Sequence, residues 1–326
     1  MKEKNKIMIT VVVVTYNQEK WIRQTLDSIL AQQTEYLYEI VIGEDFGTDD
    51  TRSICESYAA KYDNISMASN KLAPNKLNKN LGVTANWLNC IANSTGKYIM
   101  SCAGDDYWHN PHKIQLQVDF MEKHPECVIC HTDIDVLHEN TGQIDHDFKK
   151  MRGIVPPEGR IQEAVLSGRE AMSAVTMCIR RDAFEKYIPA DKFIELEFPR
   201  EDWPTIIILS AHGDIRYLPI STATYRVGQE SITNTLNYDK IRNRYMLDRR
   251  MTQFLYSMFP EWGPMDKGTY DYYETYLYHA LLRAAYQNND YKSAKEFRKK
   301  DPMKRTAINL MARTWISFQL FRIYRF

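Results

Sequence analysis

Six consecutive β-branched residues, Ile9–Val14, constrain the fold more than any other feature of this sequence. Such a run is expected of a parallel strand that is covered on both faces. Polar residues and then apolar residues at helical spacing follow it directly. Further strands are predicted at 38–43, 64–68 and 97–102, with helices at 18–31, 50–62 and 83–92. This alternation predicts βαβ units and a mainly parallel sheet.

The second half of the chain follows a different pattern. Helices are predicted at 111–123 and 202–212, strands at 126–137, 174–179 and 215–225, and a long mobile loop at 138–166. Helical periodicity dominates after about residue 238, with predicted helices at 246–258, 270–286, 290–300 and 306–326. We therefore expect two domains, residues 1–233 and residues 234–326.

Charge is balanced over the whole chain but not along it. The 326 residues hold 42 Lys and Arg against 42 Asp and Glu, which disfavours a nucleic-acid binder. Residues 292–326, however, carry a net charge of +8 and are rich in aromatic residues. This tail is predicted to contact either an anionic membrane surface or a second copy of the chain, or else to pack on the body of the protein.

The sequence also bears on the compartment. No segment approaches the roughly 20 apolar residues that span a bilayer, and the N-terminal valine run lacks a signal-peptide cleavage site. Six cysteines in a chain of this length do not form a disulfide framework. Cys127-Val-Ile-Cys-His131 has the spacing of c-type haem attachment but lies in a predicted strand. We predict a cytoplasmic protein, held peripherally at the inner face of the membrane if the tail binds lipid.

Three polar clusters come directly after predicted strands: Thr15–Asn17, Glu44–Asp50 and Gly104–Trp108. Each alone is typical of turns and helix caps. Together they lie where open parallel sheets bind ligands, outside the carboxyl ends of the strands. An aspartate pair there can hold a hard divalent cation, and that cation would neutralise a diphosphate. The chain lacks a P-loop and a Gly-x-Gly-x-x-Gly fingerprint, which excludes P-loop kinases and dinucleotide oxidoreductases.

The ordered series of these segments resembles the family 2 glycosyltransferases. The matching segments are Ile9–Asn17, Leu26–Thr34, Glu39–Thr51, Asn80–Gly82, Thr95–Ile99, Gly104–Trp108, Thr176–Arg181, Glu201–Pro204 and Tyr225–Arg226. The resemblance covers residues 7–233. It implies an α/β protein of the GT-A (Rossmann-like) nucleotide-diphospho-sugar transferase fold, with a mainly parallel twisted sheet and a C-terminal helical extension.

The resemblance also implies nucleotide-sugar contacts. Tyr16, beside Val14, would flank the nucleobase. Asp45 would bind the base or ribose, with Glu44 where many members have a second aspartate. Asn80 would line the cleft.

Metal and catalytic roles follow from the same resemblance. Asp105 would reach the ribose or sugar of the donor, and Asp106 would ligate Mg²⁺ or Mn²⁺. Asp202 stands where inverting members place the general base, and its neighbour Glu201 is the rival for that role. Many members carry a histidine two residues after Tyr-Arg; Gly228 occupies that position here, so Asp106 and the diphosphate, or Gln229, would have to compensate.

These residues predict an inverting glycosyltransferase. It would move a sugar from a nucleoside-diphosphate donor, a UDP-sugar in the first instance, to a glycan or lipid-linked glycan acceptor in bacterial surface-polysaccharide synthesis. The alternative from another class is a catalytically silent scaffold of the same fold that binds sugar nucleotide or glycan. A nucleotidyltransferase would need a Gly-rich basic loop after the first strand, and Thr15–Lys20 contains no glycine.

Overall fold

A computed structural model describes residues 6–72, 79–166, 172–228, 235–265, 267–301 and 306–325. The chain divides into two compact units, residues 1–228 and residues 229–326. Gln229, considered above, lies outside the described residues.

The first unit is built on one mixed sheet. Its strands are β1 (Ile9–Thr15), β2 (Tyr38–Glu44), β3 (Ile65–Met67), β4 (Tyr98–Ala103), β5 (Cys127–His138), β6 (Gln143–Asp145), β7 (Cys178–Arg180) and β8 (Asp214–Val227). Their order is β3-β2-β1-β4-β7-β5-β6, and β8 also pairs with β5. The first four strands are parallel, whereas β7 runs antiparallel to both β4 and β5. The predicted α/β class and mainly parallel start of the sheet are confirmed.

Register places the strand ends side by side. Val14 of β1 pairs with Gly43 of β2 on one side and with Ala103 of β4 on the other. Chain segments that leave these three strands therefore emerge next to one another, and this edge of the sheet holds the site described below.

Helices cover the sheet on both sides. They are α1 (Ile22–Leu30), α2 (Thr51–Lys61), α3 (Val83–Ala92), α4 (Lys113–Lys123), α5 (Phe148–Met151), α6 (Gln162–Leu166), α7 (Arg181–Tyr187), α8 (Ala190–Glu195) and α9 (Asp202–Ser210). The valine run is part of the core: Val11, Val12 and Val13 are fully buried. Packing is close at α3, where a Cβ on Gly43 would lie 2.4 Å from Oδ1 of Asn86.

The predicted helix at 18–31 begins four residues late, at Ile22. Gln18 makes hydrogen bonds outside the helix instead. Its side-chain oxygen accepts a hydrogen bond from Thr15, and its backbone N–H donates to the hydroxyl of Thr51. These contacts fix the turn after β1 in a non-helical form.

The prediction of a long mobile loop at 138–166 is wrong, because this segment contains β6, α5 and α6. Two carboxylates of β5 anchor it. Asp135 accepts from the backbone N–H of Asp147, and Asp133 accepts from those of Lys149 and Lys150. Local composition alone did not reveal these contacts.

The predicted strand at 174–179 is only partly a strand. Residues Ala174–Thr176 form a 3₁₀ turn, and β7 begins at Cys178. The backbone carbonyl of Thr176 accepts from the side chains of Lys113 and Gln117 in place of a strand partner.

The second unit is helical. Its helices are α10 (Tyr238–Met258), α11 (Lys267–Gln287), α12 (Tyr291–Lys300), α13 (Ala307–Met311) and α14 (Trp315–Arg325), with a 3₁₀ turn at Pro260–Trp262. The predicted tail helix at 306–326 is therefore two helices, and residue 326 lies outside the described residues. Phe318 of α14 is fully buried and stacks on Tyr286 of α11 at 4.4 Å between ring centroids. Among the described helices, none combines the length and the apolar character needed to cross a bilayer.

Candidate functional site

The acidic pair that ends β2 is buried and fully engaged with its surroundings. One carboxylate oxygen of Asp45 accepts from the backbone N–H of Leu81 at 2.6 Å, and the other accepts from that of Gly82 at 2.9 Å. Asn80 donates its side-chain amide to the backbone carbonyl of Asp45 at 3.1 Å. Burial raises the pKa of Asp45, although these two N–H donors oppose the increase. Asp45 thus ties the chain before α3 to the end of β2.

Glu44 shapes the turn that follows. Its Oε1 accepts from the backbone N–H of Gly47 at 2.6 Å, and its Oε2 lies 3.0 Å from Nε of Arg52. The Arg52 guanidinium also lies over the ring of Phe46, 4.7 Å from its centroid. Phe46 has a positive φ of 58°, a left-handed backbone conformation that favours glycine, so an aromatic residue is held in a glycine-like turn here.

At the end of β1, Tyr16 is 47% exposed, which leaves its ring free to stack on a ligand. Asn17 adopts a positive φ of 53° and accepts from the backbone N–H of Thr48 at 2.7 Å. This bond connects the turn after β1 with the turn after β2. Tyr16 and Asp45 therefore belong to one continuous edge of the sheet.

The aspartate pair that ends β4 completes this edge. Asp106 is 4% exposed and accepts the backbone N–H of Arg226 on Oδ1 at 2.9 Å. Burial, and then the charge of Asp105, raise the pKa of Asp106 well above its ordinary value. The pKa of Asp105 is also raised by burial, with Arg226 offsetting part of that increase. Two carboxyl groups in this setting favour a compensating cation.

Arg226 holds the aspartate pair from the end of β8. Its Nε donates to the backbone carbonyl of Asp105 at 2.8 Å, and its other nitrogens contact Gln24 and Glu139. The guanidinium also lies over the rings of Trp21 and Tyr107, 5.7 and 5.9 Å from their centroids. Sequence analysis used Arg226 only as part of a family motif and missed this positioning role.

The turn at the aspartates is held from α1 as well. The hydroxyl of Thr25 lies 2.6 Å from the backbone carbonyl of Asp106 and 3.0 Å from that of Gly104. A Cβ on Gly104 would lie 2.5 Å from the side-chain oxygens of both Gln18 and Thr15. No sequence pattern pointed to Thr25, because the contact joins residues about 80 positions apart.

The second acidic pair opens α9. Both oxygens of Asp202 are paired with Arg200, at 2.6 Å to Nε and 2.8 Å to its terminal nitrogen, and Oδ1 also accepts the backbone N–H of Trp203. Burial acts to raise the pKa of Asp202, but the Arg200 charge and these hydrogen bonds outweigh it and hold the pKa below its ordinary value. Burial, and then the charge of Asp202, raise the pKa of Glu201 to about 7. Near neutral pH the Asp202 carboxyl group is therefore ionised, whereas that of Glu201 is partly protonated.

Tyr225 links the two acidic pairs. Its pKa is raised by burial and then by the charges of Asp106, Asp105 and Asp202. Tyr225 therefore lies within electrostatic range of Asp105, Asp106 and Asp202, which brings the two acidic pairs into one region of the first unit.

A divalent cation fits part of this site. Asp105 and Asp106 supply the hard oxygen donors that Mg²⁺ and Mn²⁺ prefer. Within the described residues, no group of three or more His, Cys, Asp or Glu side chains forms a ready-made metal cage. A Cβ on Gly228 would meet nothing within 4 Å. Residues here fit a metal that takes further ligands from a bound diphosphate.

Another polar cluster lies along β5. His131 is fully buried against Tyr217, at 5.1 Å between ring centroids, and its pKa is lowered well below the ordinary value by burial and then by Lys149. The carboxylates of Asp133 and Asp135 hold the segment after β6. In the described residues this face of β5 serves to hold the 146–150 segment in place.

The comparison with protein families decides the identity. Residues 10–188 match the model for "Glycosyl transferase family 2". The chain belongs to this family. The predicted recognition as a family 2 glycosyltransferase is thereby confirmed.

Two relatives of this family 2 chain illustrate its range. An uncharacterized Mycobacterium tuberculosis protein is 30% identical over 232 residues, which cover 71% of this chain and 62% of that protein. Bacillus subtilis EpsE, named as a glycosyltransferase, is 35% identical over 132 residues, or 40% of this chain and 44% of EpsE. The chain thus matches less than two thirds of the length of these relatives.

Solved structures support the GT-A fold of the family 2 chain. Staphylococcus aureus TarS 1-349 in complex with UDP gives a TM-score of 0.52 at 17% identity, covering 97% of this chain and 89% of TarS. A Pyrobaculum calidifontis mannosyltransferase in complex with GDP-Man and Mn²⁺ gives 0.50 at 14% identity, covering 97% and 87%. At this level of identity the likeness concerns the fold.

Proposed function

We propose that the chain is an inverting, metal-dependent glycosyltransferase that transfers a sugar from a nucleoside-diphosphate donor. The observation that carries the proposal is the edge of the sheet where Tyr16, Asp45 and the Asp105–Asp106 pair follow the ends of adjacent strands. Transfer with inversion needs positive charge at the leaving diphosphate, which a metal ion supplies, and a base at the attacking hydroxyl. We assign the metal to the Asp105–Asp106 pair and the base to Asp202, whose charge acts on the same Tyr225 as theirs.

The donor is proposed to lie along the edge formed by β1, β2 and β4. Tyr16, next to Val14, would stack on the base. Glu44 and Asp45 would shape the base and ribose pocket, and Asn80 would line it. Both Asp45 oxygens already accept backbone N–H bonds, so Asp45 can also act by fixing the 80–82 turn. A UDP-sugar is our first choice of donor; TarS is described with UDP and the archaeal enzyme with GDP-Man.

Asp106 is the proposed ligand for Mg²⁺ or Mn²⁺, with Asp105 directed to the ribose or sugar. A bound cation would supply positive charge to the leaving diphosphate. Asp106 has its Oδ1 occupied by the Arg226 N–H, and its other oxygen accepts no hydrogen bond from the described residues. Arg226 and Thr25 would keep this carboxylate in place during binding.

Asp202 is the proposed base, because the Arg200 charge and hydrogen bonds hold its pKa below the ordinary value and keep it ionised at neutral pH. It would take the proton of the acceptor hydroxyl as that oxygen attacks the anomeric carbon. Arg200, by holding both oxygens, would orient the carboxylate toward the acceptor. Glu201 is the alternative base, since its pKa of about 7 matches the working pH.

Residues 1–233 are proposed as the transferase domain and 234–326 as a helical region. We propose a glycan or lipid-linked glycan of bacterial surface-polysaccharide synthesis as the acceptor. A cytoplasmic location suits the six cysteines, all of which are free and buried. The tail helix α14, with Phe318 in the core of its own unit, is proposed to be an integral part of that unit.

Donor hydrolysis across UDP-, GDP- and dTDP-sugars with Mn²⁺ tests the proposal. We expect one donor class to be turned over by the wild type, while Asp202→Asn binds the same donor and does not transfer. Binding without turnover of any donor, with several acceptor glycans present, would instead establish a silent scaffold. No binding of any sugar nucleotide would refute the proposal.

A further inference from the structure

A short surface loop in the first unit exposes an unusual set of side chains. Residues 150–155 are consecutively exposed and read Lys-Met-Arg-Gly-Ile-Val. Val155 is 87% exposed and Met151 is 76% exposed, the highest values among large apolar side chains in the described part of the chain. Ile154 adds a third apolar side chain. Soluble proteins seldom expose such apolar groups together unless the surface has a partner.

The loop, defined here as residues 148–155, is firmly built. Near its start, the backbone N–H groups of Lys149 and Lys150 donate to the Asp133 carboxylate. After α5, the Ile154 N–H donates to the carbonyl of Lys149 at 2.9 Å, and the Gly153 N–H donates to that of Lys150 at 3.1 Å. With Gly153 at a φ of 63°, these two bonds form a Schellman motif.

Both ends of the 148–155 loop are anchored. Phe148 packs against the main core, and Pro156 is buried. The apolar side chains between them are therefore held outward by the fold and cannot collapse onto the sheet. The exposure of these apolar side chains is therefore a property of the folded unit.

The charges on the loop indicate its partner. Lys150 and Arg152 flank Met151, and the segment 148–155 contains no acidic residue. Arg152 stays 57% exposed at the side chain despite a contact of 3.5 Å with Asp145. At the surface of an anionic bilayer, apolar side chains can insert among the lipids while neighbouring cations contact the headgroups. The loop presents both kinds of side chain.

We propose that the 148–155 loop docks the protein on an anionic lipid surface. Met151, Ile154 and Val155 enter the headgroup region, and Lys150 and Arg152 contact lipid phosphates. The C-terminal tail, which the sequence offered for this role, places Phe318 in the core of its own unit. This proposal uses none of the residues assigned to the donor site, so it is tested independently of the transferase activity.

Co-sedimentation of the full chain with large unilamellar vesicles tests this docking. Vesicles of phosphatidylcholine alone are compared with vesicles containing 30% phosphatidylglycerol, roughly the anionic content that attracts basic segments. We expect binding only to the anionic vesicles, reduced at least about tenfold by Met151→Ser/Val155→Ser and by Lys150→Gln/Arg152→Gln. Trp315→Ser/Ile316→Ser, in α14, is the matched control, since both residues are exposed apolar side chains; it should bind like the wild type.

Three results would overturn the proposal. The wild type could fail to bind anionic vesicles, or the α14 variant could lose binding while both loop variants keep it. Alternatively, sedimentation velocity without lipid could show a dimer that Met151→Ser/Val155→Ser abolishes, and the loop would then contact a second copy. Donor hydrolysis measured in parallel separates these results from a failure of the transferase proposal.

Discussion

The Glu201–Asp202 pair gives the sharpest test of mechanism, because the two neighbouring carboxyl groups titrate in different ranges. Asp202 has a pKa below its ordinary value of 3.8, whereas that of Glu201 is raised to about 7. A base must be ionised to accept a proton. If Asp202 is the base, Glu201→Gln should keep transfer within about threefold of wild type at pH 8, and Asp202→Asn should lose about 10²–10⁴-fold.

The pH profile separates the two residues further. With Glu201 as base, transfer would rise about tenfold per pH unit up to pH 7 and then level off. With Asp202 as base, its depressed pKa keeps it ionised from pH 5 to 9. Any inflection near pH 7 then arises from Glu201 as a neighbour and should vanish in Glu201→Gln.

The pH dependence of the unfolding free energy provides an independent test of the raised pKa of Glu201. A carboxyl group whose pKa is raised on folding favours the folded state only when protonated. The difference between 4.5 and about 7 for Glu201 corresponds to about 3 kcal/mol of unfolding free energy, lost as the pH rises from below 4.5 to above 7. Glu201→Gln should therefore gain up to about 3 kcal/mol over wild type at pH 8, measured by urea denaturation, and little at pH 4.

Transfer is assayed by release of nucleoside diphosphate in the presence of acceptor, from pH 5 to 9. Asp214→Asn is the matched control, because Asp214 also pairs with an arginine, at 2.7 Å, in the same unit. A dead Glu201→Gln beside an active Asp202→Asn would refute our assignment and make Glu201 the base. Normal transfer by both variants would show that this pair has only a structural role.

Three further predictions concern single residues, and a fourth concerns the C-terminal tail. Asp106→Ala should abolish turnover and remove the effect of EDTA on nucleotide binding by calorimetry; equal affinity with and without EDTA in the wild type would contradict a metal there. Asp45→Asn should lower unfolding free energy by about 1–3 kcal/mol and weaken donor binding, because the backbone donors lose a charged acceptor; unchanged urea midpoints would contradict this. Phe318→Ala should lower the unfolding free energy of the helical unit by about 3–5 kcal/mol. Removal of residues 300–326 should unfold that unit, as measured by circular dichroism, while donor hydrolysis persists. Loss of hydrolysis by a folded transferase unit would place the tail in the active site.

Much of the candidate site followed from local pattern. The β-branched run predicted β1, and polar clusters after three strands predicted an active edge, because parallel strands present their carboxyl ends together. Val14 pairing with both Gly43 and Ala103 is the register that this reasoning required. Sequence patterns gave the wrong structure where contacts with residues elsewhere in the chain stabilise a segment. The 138–166 segment is an example, because Asp133 and Asp135 hold it in place.

The sequence alone therefore determined the order of elements from β1 to β5, the family and the identities of the acidic residues, since each depends on a short run of side chains. Only the tertiary structure decided what those residues contact. The Arg226 N–H reaches Asp106 across 120 positions, and burial raises the pKa of Glu201 while pairing with Arg200 holds that of the adjacent Asp202 low. Burial and long-range hydrogen bonds depend on how the whole chain packs, and that packing sets the chemistry of side chains whose positions the sequence had already fixed.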